Sequence, residues 1–162
     1  MMTLSDIRQF LYFEASLLDD RQWDEWISCY SPHVVYWMPA WGDDDRLTTD
    51  PHSQISLIYY PNREGLEDRV YRIKTERSGA STPEPRTTHM ISNVAILADN
   101  GASVDVRYNW ATYSHRYKET DVYFGTTFCT LEQGEGGRPW ITRKTIQLNN
   151  DYIRQVIDIY HV

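Results

Sequence analysis

The stretch Leu17–Trp41, LLDDRQWDEWISCYSPHVVYWMPAW, holds four of the six tryptophans and changes its period halfway. Trp23, Trp26, Ile27 and Tyr30 fall at i, i+3, i+4 and i+7, the spacing of one helix face. The Ser31-Pro32 step is expected to stop that helix, because a residue preceding proline is pushed out of the α region. Val34, Val35, Tyr36 and Trp37 then suit a strand, which Pro39 closes. Aromatic residues on both arms of such an elbow predict a helix folded onto the sheet that its own next strand begins. Whether that core surrounds a catalytic site is the functional question.

Around the elbow the chain has a clear order. Ile7, Phe10, Leu11, Glu14 and Leu18 trace one stripe of a helix over residues 4–18, with Thr3 or Ser5 available as cap. Asp19-Asp20 separates it from the tryptophan helix and offers a cap for the latter. Residues 41–54 read as an acidic loop, and Ile55–Tyr60 as a strand or a turn. Asn62 is an expected N-cap for a helix over 63–75, with Leu66, Val70 and Ile73 on one face and ion-paired charges on the other. A loop over 76–89 leads to four strand candidates: His89–Ala98, Ser103–Tyr113, Val122–Leu131 and Trp140–Leu148. Asp99-Asn100-Gly101 is a hairpin signal, and Gly125 is a candidate bulge or bend. The apolar C-terminal segment NDYIRQVIDIYHV is expected to dock, on its own domain or a neighbour. Helices followed by an antiparallel meander predict a single α+β domain over residues 1–162, with helices on one side of a curved sheet that closes into a cone.

A chain of 162 residues with 41% hydrophobic and 14% aromatic residues can bury a substantial core. Its net charge of -7 argues against nucleic acid as a partner. The sequence has neither a long apolar run for a membrane span nor a secretory leader pattern, so the cytoplasm is the expected compartment. Cys29 and Cys129 both fall inside expected elements and read as buried free thiols.

The five histidines (His33, His52, His89, His115 and His161) stand in no H-E-x-x-H, H-x-x-x-H or H-x-E arrangement, so local spacing offers no metal site. Neither cysteine is followed closely by histidine, as a Rieske cluster requires. Asp43, Asp44 and Asp45 lack the alternating ligands, glycine turn and distal glutamate of a calcium loop. Nucleophile-elbow and phosphate-loop motifs are missing as well. A free-standing acid–base lyase or isomerase with a buried group in the cone stays open, and Tyr30, Tyr36, Asp24, His89 and His115 are the residues to test. That reading needs an open cavity.

Longer motifs point elsewhere. LDDRQWDEW (18–26), WMPAW with its acidic loop (37–45), SLIYYPNREGLEDRVYRIKTERS (56–78), RYKETDVYFGT (116–126) and NDYIRQVIDIYH (150–161) resemble the small (beta) subunits of aromatic-ring-hydroxylating dioxygenases of the benzoate 1,2-dioxygenase type. The similar toluate, 2-halobenzoate and, less closely, anthranilate enzymes share this pattern, and the resemblance spans nearly the whole chain.

The resemblance implies a cystatin-like (nuclear-transport-factor-like) cone with helices packed inside a long curved sheet. It also implies assembly with a large (alpha) subunit that carries a Rieske [2Fe-2S] cluster and a mononuclear Fe(II), typically three large plus three small chains, so that other copies of this chain are partners too. A separate NADH-dependent reductase would supply electrons. No cofactor, metal ligand or catalytic residue is then expected in this chain. The exposed aromatic and arginine residues Trp41, Arg46, Arg69 and Arg154 are the candidates for the subunit interface.

Overall fold

The computed structural model describes residues 2–75, 83–150, 152–153 and 156–162. Helix α1 (Leu4–Asp19) begins where the sequence places a cap: the Thr3 hydroxyl accepts from the Asp6 N–H while the Asp6 carboxylate accepts from the Thr3 N–H. Its stripe of Ile7, Phe10, Leu11, Glu14 and Leu18 is buried. After α2 (Trp23–Ile27) come strands β1 (Tyr30–Pro39) and β2 (Ser56–Tyr60), helix α3 (Glu64–Lys74), and strands β3 (Arg86–Asp99), β4 (Ser103–Arg116), β5 (Glu119–Gln133) and β6 (Pro139–Leu148). The strands form one curved sheet in the order β2-β1-β6-β5-β4-β3. All neighbours are antiparallel except β1 and β6, which run parallel because the chain crosses the whole sheet between them. The α+β cone is the architecture expected from the sequence.

Alternation decides which face of the sheet turns inward. Val104, Val106, Tyr108, Trp110 and Thr112 of β4 are buried, as are Tyr123, Cys129 and Leu131 of β5. They meet α1, α2 and α3, whose Leu66, Val70 and Ile73 are buried as the spacing predicts. The N-cap of α3 is Arg63 and not the expected Asn62, which stands one residue earlier and accepts from the Glu64 N–H at 2.9 Å. The C-terminal segment docks on its own chain, with Ile157, Ile159, Tyr160, His161 and Val162 buried around a 3-10 turn at Ile159–His161.

Three further local expectations are corrected. The tryptophan helix stops at Ile27, and Tyr30 already belongs to β1, where it pairs with Ile141 of β6. Pro32 therefore lies within the strand. The β1–β6 register shifts between Tyr30 and Val35, and β2 pairs only with Tyr36–Pro39, so the missing proline N–H interrupts no ladder there. Neither Asp19 nor Asp20 caps α2, whose N-cap is Gln22 with no side-chain bond; Asp19 instead accepts bonds from β3. Gly125 carries no register shift, and the irregularity between β5 and β6 falls at Thr130/Leu131. A Cβ at Gly125 would overlap the backbone carbonyl oxygen of Gln147, so glycine is needed for close approach of the two strands.

Candidate functional site

The inward stripe of α1 carries one charge, Glu14, and places it at the centre of the cone. Its Oε1 accepts from Trp26 Nε1 at 2.8 Å, from the Tyr30 hydroxyl at 2.6 Å and from Lys144 Nζ at 3.0 Å. Lys144 Nζ also donates to the Tyr30 hydroxyl at 3.1 Å and lies 5.6 Å from the Tyr30 ring centre and 5.9 Å from that of Tyr36. Glu14 and Lys144 are each 2% exposed, while Trp26 and Tyr30 are 0% exposed. Burial pushes the Glu14 carboxyl upward, but the Lys144 charge and the hydrogen bonds outweigh it and hold its pKa below the ordinary carboxylate value. Burial, reinforced by the Glu14 charge, raises the Tyr30 and Tyr36 hydroxyls well above the usual phenol range. The arrangement holds charge in place and offers neither a free base nor an acid ready to donate.

At the other end of the interior, Asp19 closes the end of α1 onto β3. It accepts from the Thr87 hydroxyl and the His89 N–H, each at 2.9 Å, and its Oδ1 lies 2.5 Å from His89 Nδ1. Burial raises the Asp19 pKa, yet the bonds from His89 more than offset it and the net shift is downward. The C-terminal turn seals this end. Arg69 of α3 donates from Nε to Asp158 Oδ1 at 2.8 Å and from Nη2 to Asp158 Oδ2, and the Asp158 N–H donates to His161 Nδ1 at 2.9 Å. A crevice between Leu18, Trp23, Ile73, Thr87 and Tyr160 measures about 10 Å³, near the size of a single water and far below an aromatic acid.

The acid–base candidates are thus scattered. Tyr30 is tied to Glu14 and Lys144, Tyr36 is fully buried beside it, and His89 is held by Asp19. Asp24 is exposed and paired with Lys74 at 3.0 Å, and His115 lies near the far end of β4 with Nδ1 2.8 Å from the Thr120 hydroxyl. Cys29 and Cys129 are free and buried, and burial pushes both thiols up to about 12. Lys144 is a key residue that the motif search passed over. Its signal was its parity with the buried Ile146 and Leu148 on β6.

The outward sheet face carries exposed Met90, Tyr113, Val122 and Phe124 on β3, β4 and β5. Trp41 is 40% exposed and donates its indole N–H to the Leu148 carbonyl at 2.6 Å. Arg46 is exposed in the acidic loop, whose ends are joined by a Trp41–Leu47 bridge. Arg69 is engaged within the chain by Asp158, and Arg154 lies outside the described residues.

Residues 13–155 match the ring hydroxylating beta subunit family. The chain belongs to that family. It is 57% identical to the toluate 1,2-dioxygenase subunit beta of Pseudomonas putida, over 99% of this chain and 100% of that protein. Against the 2-halobenzoate 1,2-dioxygenase small subunit of Burkholderia cepacia the identity is 55%, over 97% and 94% of the two chains. The crystal structure of the beta subunit of the benzoate 1,2-dioxygenase from Burkholderia mallei is similar to this family member with a TM-score of 0.84 and 49% identity, over 100% and 99% of the chains. Ring-hydroxylating dioxygenases are oxidoreductases, and this chain is a small subunit of that class. No group of three His, Cys, Asp or Glu that could hold a metal occurs among the described residues.

Proposed function

We propose that this chain is the structural, non-catalytic small subunit of a Rieske non-haem iron dioxygenase that acts on benzoate or a substituted benzoate in aromatic-compound catabolism. Similarity along the whole chain to small subunits of toluate and 2-halobenzoate dioxygenases carries the reading. Support comes from the middle of the interior, which is filled by Trp26, Tyr30, Tyr36 and a satisfied ion pair. That filling counts against a free-standing lyase of the same fold.

In the complete enzyme a large subunit would hold the Rieske [2Fe-2S] cluster and the mononuclear Fe(II), and a separate reductase would pass on electrons from NADH. Both atoms of O2 would enter the ring, so benzoate, O2, NADH and a proton give the cis-diol carboxylate and NAD+. A 2-halobenzoate would go on to catechol with release of carbon dioxide and halide. Residues 1–162 act as one domain in a cytoplasmic assembly of three large and three small chains. No helix of the described residues is long and apolar enough to cross a membrane. Trp41, Arg46 and Arg154 are assigned to the interface with the large subunit. Arg69 would act on the interface through the C-terminal turn that it holds.

Expression of this chain alone and together with its large subunit tests the assignment. The pair should co-purify at equal ratio, bind iron and consume O2 with NADH, reductase and benzoate, while the single chain does none of these. Stoichiometric iron or turnover in the chain alone would overturn it.

A further inference from the structure

The interior beneath the C-terminal turn differs in kind from the rest of the core. Pairing across β3, β4 and β5 sets His89, Thr112 and Tyr123 on one inward rung, with Ser114 two residues further along β4. Thr112 is 0% exposed, Ser114 1% and His161 1%. His161 stacks on Tyr123 with ring centres 4.7 Å apart. His89 Nε2, Thr112 Oγ1, Ser114 Oγ and His161 Nε2 are all buried without a hydrogen-bond partner from the protein. A buried polar atom without a partner is costly, and four in one place on adjoining elements are rare in native interiors.

The partners of the two imidazoles fix what the site can bind. His161 Nδ1 accepts from the Asp158 N–H, so the neutral ring carries its proton on Nε2 and is a donor there. His89 Nδ1 faces the Asp19 carboxylate, so the neutral ring carries its proton on Nδ1 and presents Nε2 as an acceptor. Two ladder steps of about 4.8 Å each separate the His89 and Tyr123 strands, a span that a small bridging molecule and the Thr112 hydroxyl can cover together. A donor, an acceptor and two rotatable hydroxyls suit a neutral ligand that both donates and accepts. Asp121 and Arg116 bring opposite charges to the rim near His161, so their fields oppose each other and select neither a cation nor an anion.

We propose that this end of the cone is a built water site, in which ordered water bridges His89 Nε2, the Thr112 and Ser114 hydroxyls and His161 Nε2. The water joins the C-terminal turn to β3 and β4, so the turn is held by this bridge as well as by the Arg69–Asp158 pair. The site is independent of the subunit assignment above.

A high-resolution crystal structure of the chain tests it directly. The expected result is solvent density within hydrogen-bond distance of His89 Nε2 and of at least one of the two hydroxyls. Thr112→Val, close to isosteric, should remove part of that density, and Ser114→Ala provides the same comparison if the first variant folds poorly. In solution, the nitrogen chemical shifts should report the proton on Nδ1 of His89 and on Nε2 of His161. Hydroxyls turned onto backbone carbonyls in a dry interior, or the opposite tautomer at either histidine, would overturn the proposal.

Discussion

Glu14 sits on the buried stripe of an amphipathic helix, where an isolated carboxylate would be costly. It is tolerated because three donors and the Lys144 charge converge on one of its oxygens. Glu14→Gln should therefore cost about 3–5 kcal/mol in urea unfolding, since it strands the Lys144 ammonium in the core. Glu14→Leu combined with Lys144→Met should recover most of that loss, and the double-mutant cycle measures the coupling. His161 gives a pH signature. Burial is the main cause of its depression from 6.5 to about 4, against the opposing pull of Asp158 and with help from His89. The unfolded chain takes up a proton at this residue below pH 6.5 while the folded chain does not, so stability is lost as pH falls from 6.5 towards 4. The loss is about 3 kcal/mol when complete. His161→Asn keeps an acceptor for the Asp158 N–H and should flatten the fall in stability between pH 6.5 and 4. Loss of the Glu14 contribution begins only at lower pH, as that group titrates through its depressed pKa.

The elements show where reading from spacing succeeds and where it slips. Thr3 and Asp6 set the start of α1 through bonds local to the chain, and the sequence placed the helix start there while leaving Thr3 and Ser5 both open as cap. The end of α2 was not. Tyr30 has helical spacing from Trp23 and Trp26, yet its ladder bond to β6 and its hydroxyl bond to Glu14 place it on a strand. Both partners are distant in sequence, 111 and 16 residues away, so no local pattern could announce them. Gly125 likewise owes its identity to a neighbouring strand. Gly125→Ala should push β5 from β6 and lower stability by about 1–3 kcal/mol, measurable as a shift in the denaturant midpoint. Gly101, at φ +80° in the β3–β4 hairpin, was the glycine that the turn signal did explain.

For the whole molecule, the two faces of one sheet divide the work. The inner face is consumed by α1, α3 and the C-terminal turn, while the outer face leaves Met90, Tyr113, Val122 and Phe124 exposed and available to other chains. Phe124→Lys should leave the unfolding free energy within about 0.5 kcal/mol of wild type, because the side chain is half exposed. The same variant should weaken assembly, seen as a lower-mass species in sedimentation of the co-expressed complex. An unchanged assembly would remove this face from the interface.

Periodicity, caps and turn residues determined the α+β order, the buried stripes and the absence of a local metal motif, because each depends on residues a few positions apart. The long motifs determined the family, since their specificity lies in the string itself. Only the tertiary structure decided that the Leu17–Trp41 elbow encloses a closed charge network instead of a cavity. Glu14, Tyr30 and Lys144 come from three elements, and nothing in the order of the chain states that their polar atoms meet. Whether a cone is open or filled depends on the packing of side chains remote in sequence, and that is settled when the sheet curls and the C-terminal turn docks.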